Sequence, residues 1–347
     1  MPSLRAAVLK KPMDRLYIED VETPRPRGSE VLVRVRASGV CHTDLHIWEG
    51  HYGPIRVEER GIRFPLIMGH EIAGEVAEVG DQVEGFSKGD RVVVYPWIGD
   101  GTCKACLTGN ENLCVRGTKP LGILRPGGYA EYVLVPSARY LIRTNADLVK
   151  SAPMACAGIT AYNAVKKAEP SPGDVIMIIG VGGLGHIGLQ IAGKLYGAQV
   201  IAVDVREEAL KLAETLGADY AINPARVDVQ EEVKKITGGV GVDAAIDFVG
   251  VSDTFSKALA SLKRGGRLVV VGLGGEYANI VLPLLPLRNI EIRGSYVGSL
   301  RDLVEMVRLV ERGVISVETE THKLEEINDV FERLRKGLVR GRAVITP

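Results

Sequence analysis

Cysteine is scarce in this chain, with five in 347 residues, and the odd number would leave a pure disulfide framework with one thiol over. Charge of one sign is also lacking. Lys plus Arg equals 43 and Asp plus Glu equals 43, with no basic run, so nucleic acid and anionic membrane surfaces are excluded as expected partners. The opening MPSLRAAVLKKP has too short an apolar stretch before Lys10 and Lys11 for a secretory signal. The segment 175–193 has no Asp, Glu, Lys or Arg, but six glycines, His186 and Gln190 make it a strand running into a packed helix rather than a membrane span. Asn and Gln are sparse beside many charged residues, which hints at a heat-adapted source. A cytoplasmic protein with reduced thiols is expected.

What is present suits a globular chain long enough for two domains, each with its own core. The first 150 residues hold strand-like pieces (EVLVRVRASGV, EIAGEVAEVG, DRVVVYP, YAEYVLVP) separated by turn segments such as SKGD and RPGG. An antiparallel β-rich domain, with a barrel as a candidate form, is expected there. Near residue 170 the pattern changes to short apolar runs alternating with helical segments: DVIMIIG, AQVIAVD, REEALKLAETLG, VDAAIDFVG and GRLVVVGL among them. That alternation predicts a parallel sheet covered by helices on both faces, an α/β doubly wound arrangement. From about residue 300 a helix, LRDLVEMVRLVERG, leads into a tail that could pack back on the first domain.

Gly180, Gly182, Gly183 and Gly185, with Leu184 between the last two, spell G-x-G-x-x-G after the strand VIMII and before a helix. The second strand, VIAVD, ends on Asp204. In that context the motif predicts a dinucleotide site. Gly180 makes the tight turn, Gly182 admits the pyrophosphate and Gly185 lets helix and sheet approach, while the helix N-terminus offers free N–H groups. Asp204 would accept the ribose hydroxyls and repel a 2′-phosphate, favouring NAD. Arg206 keeps NADP from being excluded outright.

Cys103, Cys106 and Cys114 follow C-x2-C-x7-C, and Asp100 extends the spacing backwards by three. Three thiolates and a carboxylate fill a tetrahedral zinc shell and leave no position for substrate, which predicts a structural site. The competing reading, a redox CxxC pair, expects the pair at a helix start, whereas this one is read as lying in a Gly-rich loop. Cys41 in GVCHTDLH, His70 in MGHEIAGEV and Cys156 in APMACAGITAY could supply two thiolates and an imidazole with a fourth position open. Spacing alone does not join these three, and for a lone Cys or His packing is the default role.

GVCHTDLH, GHEIAGEV, the cysteine loop, GVGGLG and the closing GRAVI stand in the order of one family. Over essentially its whole length the chain resembles the zinc-dependent medium-chain alcohol dehydrogenases, above all archaeal and bacterial NAD-dependent members. The resemblance implies a GroES-like β-barrel catalytic domain (1–155 and 296–347) and a Rossmann NAD-binding domain (156–295), with the active-site cleft between them. It implies two zinc ions per subunit: a catalytic one on Cys41, His70 and Cys156, with Glu71 able to approach it, and a structural one at Asp100–Cys114. Asp44 would fix the zinc-bound histidine. Thr43 would accept the substrate proton and His46 pass it toward solvent. His42 and Arg342 would lie near the cofactor pyrophosphate, and Trp97 would wall the substrate pocket. A small alcohol, aldehyde or ketone is the implied substrate, and a homo-oligomer, tetramer before dimer, the implied assembly.

Two departures stand out. The family's structural zinc usually has four cysteines, and Asp100 replaces the first. The segment HYGPIRVEERGIRFPL before His70 is longer than in many members, and its charges are expected to face water. Among rivals, polyol dehydrogenases of the same superfamily often lack the second cysteine ligand, so Cys156 argues against them. A threonine dehydrogenase would need polar groups for an amino acid, which are not identifiable. A zinc-free quinone reductase would lack Cys41, His70 and the cysteine loop, and a non-enzymatic nucleotide-binding protein would have no need of Thr43 and His46.

Overall fold

EVLVRVRASGV forms the strand Val31–Gly39, with Val31, Val33 and Val35 buried and Arg34 and Arg36 exposed. In this computed structural model, which describes residues 3–347, that strand is the hub of a seven-stranded sheet. It pairs antiparallel with Glu71–Val79, Tyr132–Val135 and Arg342–Thr346. Its register against Glu71–Val79 shifts twice, between Leu32 and Val33 and between Val35 and Ala37. Bulges of this kind bend and twist a strand. Beyond the second shift Gly39 stands opposite both Glu71 and Val344, so three strands from distant parts of the chain meet at one place.

This sheet belongs to a unit made of the chain up to Ile159 together with Gly298–Pro347. The C-terminal tail joins it through Thr319–Lys323, which runs parallel to Arg342–Thr346. The helix Leu300–Glu311 of that tail opens with a capping box, Ser299 and Asp302 each binding the other's backbone N–H. A second, three-stranded sheet in the order Leu16–Glu22, Ser3–Leu9, Leu66–Ile67 has its own small core of Leu4, Ala6, Val8 and Ala130. The long segment before His70 makes a short hairpin, His51–Tyr52 with Ile55–Arg56, and a 3-10 turn, Val57–Arg60. Arg56, Glu59 and Arg60 are exposed there, Glu58 is half-buried and Val57 is buried.

The second unit is Thr160–Val297. Its six strands are all parallel, in the order Tyr220–Ile222, Gln199–Val203, Val175–Ile179, Val242–Asp247, Leu262–Val270, Glu291–Gly294. Numbered within the unit this is 3-2-1-4-5-6, the doubly wound order whose ligand crevice opens at the carboxyl ends of strands 1 and 4. Near-continuous apolar strands such as VIMII suit it because both sheet faces are covered. The core holds Met177, Ile179, Ile201, Val203 and Val242 against helix residues Phe255 and Ala258. The uncharged segment 175–193 is divided among a strand, the glycine turn, the helix Gly185–Gln190 and a π-helical turn, Ile191–Leu195. Among the described residues no helix is long and apolar enough to cross a membrane.

Candidate active site

Cys41 leaves the hub strand and caps the helix His42–Glu49. Its N–H donates to Asp44 Oδ2 at 2.9 Å, so the carboxylate at the third helical position closes the N-terminus. The other oxygen, Oδ1, meets His70 Nδ1 at 3.2 Å, and Tyr129 Oη donates to Oδ2 at 2.8 Å. Asp44 and His70 are wholly buried, as is Tyr129. With Nδ1 engaged, His70 presents Nε2, which is buried and has no hydrogen-bond partner. One side-chain donor atom from each of Cys41, His70, Glu71 and Cys156 lies within 4.8 Å of the others.

The buried groups shift one another's acidity. The hydrogen bond between the two thiols splits them, pushing Cys41 well below its ordinary pKa and Cys156 well above. Burial pulls His70 down, but the Asp44 carboxylate outweighs it and leaves the imidazole well above its usual value. Burial raises Glu71 to about 7 against the opposing pull of Arg342. The Arg342 guanidinium is 2% exposed and pairs with Glu71 Oε1 at 2.5 Å. Glu71 Oε2 fills the space beside Gly39: a Cβ on that glycine would stand 1.9 Å from it. Two sulfurs and a free imidazole nitrogen are a zinc donor set with a position left open.

Trp97 closes one side, its ring edge-on to His70 at 5.9 Å and its Nε1 donating to Ala155 O at 3.2 Å. Thr43 and His46, three apart on the helix after Cys41, share a face. Thr43 is half-buried and His42 exposed. The His46 ring packs on Tyr52 at 5.3 Å, and the Arg60 guanidinium lies over the same Tyr52 ring at 4.9 Å. Burial lowers the His46 pKa.

The second cluster gathers Asp100, Cys103, Cys106 and Cys114, again with donor atoms within 4.8 Å. Sγ–Sγ separations are 3.5 Å for Cys103–Cys106 and 3.9 Å for Cys103–Cys114. A disulfide needs about 2.05 Å. A tetrahedral zinc with bonds of ~2.3 Å spaces its sulfurs by roughly 3.8 Å. Asp100 Oδ1 accepts the N–H groups of Thr102 and Cys103 at 2.8 and 2.9 Å, which hold its pKa low, and Oδ2 is buried without a hydrogen bond. One expectation is corrected here. Cys103 does stand at a helix start, capping the short helix Lys104–Leu107. What separates this loop from a redox pair is the convergence of Asp100 and Cys114 on it.

In the second unit Gly180 adopts φ +85° and the chain turns into the helix Gly185–Gln190. A Cβ on Gly185 would stand 2.0 Å from Gly180 O, so the helix can meet the turn only with glycine there. Asp204 closes the neighbouring strand; its Oδ2 accepts Val181 N–H at 2.8 Å and its Oδ1 accepts Arg206 N–H at 2.9 Å. Arg206 reaches over the turn, 3.5 Å from where a Gly182 Cβ would be. Gly183 and Leu184 complete the turn, with Leu184 as the helix N-cap. The cradle suits a dinucleotide pyrophosphate.

Sequence reasoning missed Tyr129, 85 residues from Asp44, and the pairing of Arg342 with Glu71. No spacing rule connects either pair.

Known proteins of one family resemble this chain over almost its whole length. Residues 27–145 match the alcohol dehydrogenase GroES-like domain and residues 183–312 the zinc-binding dehydrogenase domain. An NAD-dependent alcohol dehydrogenase of Sulfurisphaera tokodaii is 43% identical, the match covering 100% of both chains. An alcohol dehydrogenase of Geobacillus stearothermophilus is also 43% identical, over 99% of this chain and 98% of its own. The crystal structure of the alcohol dehydrogenase from Aeropyrum pernix superposes with a TM-score of 0.92 at 44% identity, covering 99% of this chain and 100% of that one. A doubly wound nucleotide fold together with a GroES-like unit defines a zinc-binding dehydrogenase. The chain belongs to the zinc-dependent medium-chain alcohol dehydrogenase family and is an enzyme.

Proposed function

We propose that the protein is an NAD(H)-dependent zinc alcohol dehydrogenase that reversibly oxidises primary or secondary alcohols to aldehydes or ketones. The observation that carries this is the His70 imidazole, anchored on Asp44 through Nδ1 with Nε2 left for the Cys41–Cys156 pair. Those three residues would hold a catalytic zinc, and Asp100, Cys103, Cys106 and Cys114 a structural one, two ions per subunit. Bound zinc supplies a Lewis acid that makes an alcohol hydroxyl more acidic, and NAD supplies the hydride acceptor.

The chain's own residues do the rest. Asp44, itself held by Tyr129 and by Cys41 N–H, fixes the His70 ring and tautomer. Thr43 Oγ1 accepts the substrate's hydroxyl proton as it gives up its own toward the cofactor ribose and His46. His46, kept neutral near pH 7 by its partial burial, receives that proton on its ring and releases it toward solvent. Glu71, paired with Arg342, keeps a carboxylate beside the metal ligands. Trp97 and the apolar surroundings exclude water from the reacting centre. Gly180–Gly185 cradle the cofactor phosphates and Asp204 takes the adenosine ribose, with His42, Arg206 and Arg342 as further cofactor-side groups.

The reading includes a cytoplasmic homo-oligomer, tetramer before dimer. The five free cysteines support a reducing compartment. Exposed Tyr277, Val281, Leu282 and Leu287 near the edge strand Glu291–Gly294 support association. A sugar or polyol substrate is the second reading, favoured by the D-arabinose dehydrogenase of Sulfolobus solfataricus, which superposes with TM-score 0.87 at 34% identity over 100% of both chains.

The test measures zinc per subunit and NAD reduction with a panel of alcohols and pentoses, before and after chelation. Two zinc ions per chain and loss of activity on chelation are expected. One zinc with activity intact would confine the metal to the Asp100–Cys114 loop and remove the catalytic role from Cys41, His70 and Cys156.

A further inference from the structure

The three-stranded sheet of the first unit borders a cavity of ≈ 530 Å³ that contains none of the residues assigned above to metal, proton transfer or cofactor. Small-molecule sites run from about 300 to 1,000 Å³. Its walls are mainly apolar, with Val8 and Val21 from two neighbouring strands, Leu66 and Ile67 from the third, and Ile123 from a loop. Four charged side chains also line it: Lys10, Glu19, Arg63 and Arg125.

These charges do not cancel. Glu19 is taken by Lys10, Nζ to Oε1 at 2.7 Å. Glu58, the acid that feels Arg63, is already held by Arg56 at 3.5 Å. Arg125 is half-buried, and its Nε is fully shielded from solvent with no acceptor in the protein. The cavity therefore joins an apolar wall to two guanidinium groups without a carboxylate of their own.

We propose that this cavity binds an anionic amphiphile, a medium-chain acyl or alkyl anion. Its carboxylate or phosphate head sits on Arg125 and Arg63, and its chain lies along Val8, Val21 and Ile123. Guanidinium favours planar, two-pronged pairing with such heads, and the apolar wall selects a tail over a bare inorganic anion. The binding is independent of the catalytic reading, because no residue is shared.

The experiment titrates zinc-loaded protein by calorimetry with octanoate, octyl phosphate, octylamine and acetate. Saturable binding of octanoate or octyl phosphate is expected, whichever of the two heads is preferred, with octylamine and acetate at least about tenfold weaker. Arg125→Gln and Arg63→Gln each weaken it about tenfold, the loss of one charge-assisted pair. Ile123→Trp, which fills the cavity, abolishes it while alcohol turnover is retained. Thermal melts certify that each variant is folded. Equal binding of octylamine, binding undiminished in both folded arginine variants, or competitive displacement by saturating alcohol and NAD would overturn the proposal.

Discussion

His70 Nδ1 stands 3.2 Å from Asp44 Oδ1, with both side chains completely removed from solvent. The contact joins the first turn of one helix to the residue preceding a strand 26 positions away, and it orients the imidazole proposed above as a zinc ligand. Asp44→Asn keeps the shape and weakens the acceptor for the imidazole N–H. Zinc affinity or kcat should fall by about 10–100-fold, the usual cost of losing such a supporting carboxylate. Competition with a chromophoric chelator measures it. Tyr129→Phe, removing the hydroxyl that reaches Asp44 at 2.8 Å and Gly39 O at 3.4 Å, should give a smaller loss of the same kind.

Gly39→Ala tests the packing beneath the site. Its methyl would fall 1.9 Å from Glu71 Oε2, and Glu71 is tethered by Arg342 and cannot withdraw freely. A destabilisation of about 1–3 kcal/mol is expected from the overpacking, together with reduced activity. Denaturant unfolding at fixed zinc reads the first quantity. An unchanged midpoint would mean that Glu71 moves aside at little cost.

The Asp100 loop should separate stability from chemistry. Asp100→Ala removes a donor and the acceptor that organises Thr102 and Cys103. One zinc equivalent should be lost and the melting temperature lowered, with kcat at moderate temperature largely retained. Metal analysis beside a melting curve decides this, and loss of all activity with the second zinc still bound would contradict it.

If Asp204 takes the adenosine ribose as proposed, its charge should set the choice of cofactor. Asp204→Asn retains an acceptor for Val181 N–H and removes the charge, so the turn should survive. The NAD to NADP preference in kcat/KM should shift toward NADP by about tenfold or more, helped by Arg206 beside Gly182. Paired kinetics with the two cofactors are sufficient.

His46 sets a pH dependence. Burial holds its folded pKa below the ordinary 6.5, so the unfolded chain binds the proton more readily. The associated stability is present above pH 6.5 and is lost as pH falls through the lower folded value. Tyr52→Ala uncovers the ring and should raise the acid limb of the kcat profile toward pH 6.5, whereas Tyr52→Phe, which keeps the aromatic contact, should not.

Short-range patterns were legible in the amino-acid sequence. Alternation in EVLVRVRASGV, the glycine turn between two apolar strands, Asp204 at the end of the second, and the Asp100–Cys114 spacing all became the elements and clusters they suggested. The helix start at Cys103 was missed because four residues are too few for a periodic signal. Cys41, His70 and Cys156 could be joined only through family resemblance, since no local rule spans their separations.

Sequence by itself determined which segments form strands and helices, where the glycine turn falls and that Asp100, Cys103, Cys106 and Cys114 would cluster, because periodicity, turn residues and short spacings act within a few residues. Tertiary structure alone decided who meets whom. Antiparallel pairing and two bulges put Gly39 opposite Glu71 and Val344, which brings Arg342 to Glu71. Likewise Tyr129 reaches Asp44 only once distant strands have packed. Such contacts follow from register across the sheet, and register is set by the burial of whole strand faces rather than by any stretch of neighbouring residues.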